Sequence, residues 1–113
     1  MTHTMKLQKQ PFLAIENGEK TIELRLYDEK RKKISVDDRI IFTRLDGEQG
    51  ELEVIVKAIY KYPTFKDLFS TELFGKCGWG NKTIEQAVES MGEYYTKEQQ
   101  AKYGVIGIEI CKV

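Results

Sequence analysis

The sequence is poor in the side chains on which most small enzymes build a reactive centre. It contains one histidine, His3, in an N-terminal segment expected to be mobile. Neither a Ser-His or Cys-His nucleophile pair nor a histidine-ligated zinc site is expected. Its two cysteines, Cys77 and Cys111, lack metal-type spacing and read as reduced thiols. No GxxxxGK[ST] phosphate loop and no GxGxxG fingerprint occurs, so no metal and no cofactor is expected. The apolar runs, of which Ile40-Ile41-Phe42 is typical, are too short to span a bilayer. Residues 1–6 carry no hydrophobic secretory stretch, which makes cytoplasm the expected compartment and a membrane no partner. The formal net charge of zero argues against indiscriminate binding to duplex nucleic acid, where phosphate neutralisation dominates affinity.

What remains is an ordinary soluble composition, 41% hydrophobic and 32% charged over 113 residues. That length suits one core, and residues 1–113 read as a single domain. The charge is unevenly placed. Residues 1–44 hold ten Lys/Arg against seven Asp/Glu, and residues 45–113 hold eight against eleven. Within the first part, Lys30-Arg31-Lys32-Lys33 forms a basic run. Such a run is either a solvated loop or a phosphate contact.

Periodicity orders the rest. Phe12, Leu13 and Ile15 precede Gly18, as in a short helix over Pro11–Asn17 stopped by glycine. Residues 20–27 and 39–45 read as strands, and Asp46 to Gly50 as a turn. In residues 51–60, Leu52, Val54 and Val56 alternate with Glu51, Glu53 and Ile55, and Ala58 and Tyr60 continue the first set. Thr64 caps a helix over Phe65–Thr71, while Thr83/Gln86 and Thr96/Gln99 have capping-box spacing. Ile84, Ala87, Val88 and Met91 recur at helical intervals, with Glu85, Glu89 and Glu93 as the wet face. Val105–Cys111 returns to strand. Helix, strands, helices and strand in that order suit a small α+β barrel with helices packed on one side.

The most informative stretch is Gly18-Glu19-Lys20-Thr21-Ile22-Glu23-Leu24-Arg25. Glycine permits a tight turn. Beyond it, Ile22, Leu24 and Leu26 alternate with Glu23 and Arg25, as on a half-buried strand. Glu23 and Arg25 then stand side by side, with Lys20 in the preceding turn. Such a trio either grips a polar or anionic ligand or forms ordinary ion pairs on a solvated face.

Gly18-x-Lys20-x-x-Glu23-x-Arg25 resembles the GxKxxExR signature of the ASCH domain (activating signal cointegrator homology), a relative of RNA-binding PUA domains. Asp38-Arg39-Ile40-Ile41-Phe42 and Tyr103-Gly104-Val105-Ile106-Gly107-Ile108 resemble later strands of that family. Where the family has glycine before the aspartate, this chain has Asp37. The resemblance implies a PUA-like small β-barrel and an RNA or nucleotide-like ligand. One small bacterial member is an amidohydrolase of acetylcytidine that uses a lysine and a threonine of the signature. Lys20 matches the lysine, but Glu23 occupies the threonine position.

Gly75-Lys76-Cys77-Gly78-Trp79-Gly80 reads as a flexible loop between helices, and it holds the only tryptophan. Trp79 either stacks a base or plugs the core. Tyr94, Tyr95 and Tyr103 pose the same question, and at least two of them are expected to be packing residues. The expected function is therefore RNA or nucleotide binding by Lys20, Glu23, Arg25 and Trp79. The alternative is a small hydrolase of acylated nucleosides or single-stranded RNA, with Lys20 and Glu23 as the acid/base pair. The pattern leaves open whether the protein is an enzyme.

Overall fold

The computed structural model describes residues 1–113. Its centre is a five-stranded curled half-barrel in the order β1-β3-β4-β5-β2, formed by β1 (Thr2–Leu7), β2 (Ile22–Leu26), β3 (Arg39–Arg44), β4 (Glu51–Tyr62) and β5 (Val105–Lys112). Four helices pack on it: α1 (Lys9–Glu16), α2 (Phe65–Phe69), α3 (Ile84–Gly92) and α4 (Lys97–Tyr103). This is the α+β, PUA-like arrangement expected from the sequence. The helix starts follow from local chemistry. The Thr64 hydroxyl accepts from the Asp67 amide, and Thr83/Gln86 and Thr96/Gln99 each close a reciprocal capping box. Gly18, at φ +88°, ends α1 and turns the chain toward β2.

Two apolar clusters divide the interior. Met5, Leu7, Ile40, Phe42, Val54, Val56, Ile106, Ile108 and Ile110 fill the concave side, under Phe12 and Ile15 of α1. On the other face, Ile22, Leu24, Leu26 and Val105 meet Phe65, Leu68 and Phe69 of α2 and Ala87 and Met91 of α3.

Three expectations are corrected. The N-terminal segment is not mobile: residues 2–7 pair in parallel with β3, and burial of Met5 and Leu7 holds them there. His3 is fixed on that strand, its Nε2 2.8 Å from the Asp38 carboxylate. The alternation in β4 does not run through to Tyr60. The register shifts between Val56 and Ala58, so Val54 and Val56 join the concave cluster while Tyr60 and Tyr62 pack on the opposite face. A bulge inserts one residue and reverses the parity beyond it. Finally, β2 is not half-buried: Ile22, Glu23, Leu24 and Leu26 are all buried, because both of its faces are covered.

Asp37 takes φ +75°, the only non-glycine residue on the left-handed side. Its amide donates to the Val56 carbonyl at 2.9 Å, which anchors the turn into β3. That backbone shape explains the glycine of the family pattern. Left-handed geometry costs a side-chain-bearing residue about 1 kcal/mol or more, partly offset by the greater freedom of glycine in the unfolded chain. Asp37→Gly is therefore expected to stabilise the protein by about 0.5 kcal/mol, read as a small rise in Tm. A lower Tm would refute this account of the turn.

Candidate functional site

The site arises where the curled sheet fails to close. β2 and β1 are the two edge strands. In β2, Glu23 and Arg25 pair across to Ile108 and Ile106 of β5, so they share the concave face with those isoleucines. The concave lining is thus apolar on β1, β3, β4 and β5 and charged on β2. Arg25 spans the open seam, its Nη2 donating to the Lys6 carbonyl of β1 at 2.8 Å. Its Nε donates to Glu23 Oε2, also at 2.8 Å.

Lys20 completes the cluster from the other side. Its amide returns to the Ala14 carbonyl of α1, and its backbone pairs with Cys77 as an isolated bridge. This puts Lys20 Nζ 3.0 Å from Glu23 Oε1. Glu23 is only 3% exposed, and the side chains of Lys20 and Arg25 are 11% and 14% exposed. The three charged tips therefore converge rather than spread over open surface. Gly78 lies directly against Lys20: a Cβ at Gly78 would sit 2.8 Å from the Lys20 Cβ.

Burial pushes the Glu23 carboxyl up, but the Lys20 ammonium and Arg25 guanidinium outweigh it and hold the carboxyl below its ordinary 4.5. For Arg25, burial works against the charge, and Glu23 more than restores it. Burial drives the Cys77 thiol up to about 12, so it is a neutral wall rather than a nucleophile. Cys77 and Cys111 are both free, as expected. The lowered Glu23 value has a definite consequence for stability. The unfolded chain takes up this proton first as acid is added, so the contribution is complete above about pH 4.5 and is lost as pH falls toward the folded value. Urea midpoints should fall as pH drops below about 4.5, and Glu23→Gln should flatten that part of the profile. An equally steep profile in the variant would assign the acid sensitivity elsewhere.

All three charged residues line one cavity of about 550 Å³, within the usual size range of small-molecule sites. Trp79, Tyr94 and Tyr95 supply its aromatic walls, with Lys6 and Lys82 at its sides. Trp79 combines both sequence readings. It is half-buried, edge-on to Phe69 at 5.9 Å, yet it lines the cavity with Lys82 Nζ 5.3 Å from its ring centre. Tyr95 stacks on Phe65 and is a packing residue, whereas Tyr94 is 55% exposed. The glycine-rich segment is partly ordered as a 3-10 turn over Glu72–Lys76, followed by Gly78 and Gly80 at positive φ.

Sequence reasoning missed Lys6, and the alternation of Met5 and Leu7 with Thr4 and Lys6 was the signal that could have found it. It also missed Lys82, for which there was none. No group of histidine, cysteine or carboxylate side chains is arranged to hold a metal ion. No helix is long and apolar enough to cross a membrane.

The ASCH domain model matches residues 5–113. The chain is similar over its full length to the crystal structure of hypothetical protein PH0355, with 40% identity, full coverage of both chains and a TM-score of 0.88. The solution structure of PF0455 from Pyrococcus furiosus is 35% identical, with a TM-score of 0.77, covering all of this chain and 98% of that one. The ASCH crystal structure from Zymomonas mobilis shares the fold at 14% identity and a TM-score of 0.65, over 96% of this chain and 65% of that one. No curated protein matches.

Proposed function

The chain belongs to the ASCH domain family, and from that premise we propose that it binds single-stranded RNA or a nucleotide-like ligand in the Lys20–Glu23–Arg25 cavity. The observation that carries the reading is the buried carboxylate between two cations on an aromatic-walled cavity. Lys20 has three N–H donors, of which Glu23 engages one, so it can hold a ring oxygen or phosphate. Each Glu23 oxygen accepts one protein donor and retains a lone pair for an exocyclic amine. Trp79 and Tyr94 offer flat surfaces for an unstacked base.

The hydrolase alternative has weaker support. A carboxylate held below its ordinary value by two cations is a poor general base near neutral pH. The threonine of the amidohydrolase pattern is also missing at Glu23. Turnover of acylated cytidine or single-stranded RNA that vanished in Glu23→Gln, with affinity preserved, would reverse this choice.

The binding test compares a mixed-sequence RNA hexamer with duplex DNA at matched physiological salt. The hexamer should bind more tightly, and Trp79→Ala should weaken it roughly tenfold, as expected for a lost stacking contact. Equal affinity for both nucleic acids, or an unchanged affinity in a folded Trp79→Ala protein, would count against the reading.

A further inference from the structure

A second cavity, of about 560 Å³, adjoins the first. Lys6 and Arg25 line both. The second one adds Lys30 and Arg31 from the basic run, with Thr4 and Thr43 beside them. Its lining therefore carries four cations and no carboxylate. The chain is neutral overall, so this concentration of one sign is a local product of folding. Asp28 engages Arg31 Nη1 at 3.2 Å, but Arg31 Nε–H is buried without an acceptor. Lys30 is exposed at the end of the segment that leads into the 3-10 turn Arg31–Lys33.

We propose that this second cavity is a phosphate subsite, so that the ligand is a phosphorylated nucleotide or strand rather than a free nucleoside. The inference deepens the nucleotide-binding reading and rests on it. Two guanidiniums suit the oxygens of a phosphate, to which each still offers N–H donors beyond those given to Glu23, the Lys6 carbonyl and Asp28. Two lysines add point charges, and the threonine hydroxyls add neutral donors. Arg25 joins the cavities physically: Nε ties it to Glu23 in the first, and the same guanidinium reaches the Lys6 carbonyl at the seam. A base in the aromatic cavity would thus direct its phosphate toward Lys30 and Arg31. The basic run then has a role that a merely solvated loop lacks.

Amide NMR with pyrophosphate and calorimetry with a mixed-sequence RNA hexamer and with free nucleosides test this together. Pyrophosphate should shift the amides of Lys30, Arg31 and Thr43. Lys30→Gln and Arg31→Gln should each weaken the hexamer about tenfold and reduce its salt dependence, while leaving nucleosides unaffected. Lys30→Gln alters an exposed side chain, so it remains informative if Arg31→Gln fails to fold. If the hexamer and nucleosides bind alike and neither variant matters, the subsite is wrong and the nucleotide reading stands. If pyrophosphate binds here but neither nucleosides nor RNA bind, the anion site stands and the nucleotide reading fails. Absence of any response at these amides to pyrophosphate and RNA overturns the subsite.

Discussion

Glu23→Ala is expected to destabilise the protein by about 3 kcal/mol, measured by urea unfolding near pH 7. The substitution leaves Lys20 and Arg25 facing each other without a counter-charge, each mostly removed from water. Deleting one member of a fully buried ion pair costs roughly 3–5 kcal/mol, and the residual exposure of both cations places this case at the lower end. Glu23→Gln should lose less, because the amide keeps one oxygen acceptor and the same shape. For a domain whose total stability is of order 5–15 kcal/mol, the alanine variant should be visibly marginal. A loss below about 1 kcal/mol would mean that the trio behaves as a surface ion pair, whose usual contribution is that small. It would also remove the argument that Glu23 organises the cavity.

Gly78→Ala should disturb the same site from the opposite side. Its φ of +79° is strained for any residue with a Cβ, and the new methyl would collide with Lys20 Cβ at 2.8 Å. The atom it meets is the stem of the lysine and not its flexible end, so the backbone bridge between Lys20 and Cys77 must shift. We expect a loss of about 2 kcal/mol, the sum of a left-handed backbone cost near 1 kcal/mol and a comparable overpacking cost. Ligand affinity should fall by more than tenfold, since displacing Lys20 Nζ breaks its 3.0 Å contact with Glu23. Gly80→Ala is the matched control. Gly80 also has positive φ, but nothing lies within 4 Å of its would-be Cβ. It should show the backbone cost alone and leave affinity intact. Equal effects at the two glycines would show that the contact with Lys20 is unimportant.

The sequence by itself determined three of the four helix starts, four of the five strands and the adjacency of Glu23 and Arg25; α1 begins at Lys9 rather than Pro11, without a side-chain cap to mark it. These are local matters: a hydroxyl three residues before the amide that donates to it, or side chains two residues apart on an extended backbone. The family signature depends on the same short range, which is why Lys20, Glu23 and Arg25 were legible as a set. Tertiary structure decided that Glu23 is buried rather than solvated, because only the packed sheet brings Ile108 beside it and Lys20 over it. It also decided that β1 pairs with β3, a partner more than thirty residues away by the Thr2–Arg39 register. Lys6, at the far edge of the sheet, thereby meets Arg25, and the Cys77–Gly78 segment comes to lie against Lys20. Periodicity in one strand states which residues share a face. It carries no information about which other strand edge will stand across the gap, since that depends on burying the concave apolar face as a whole.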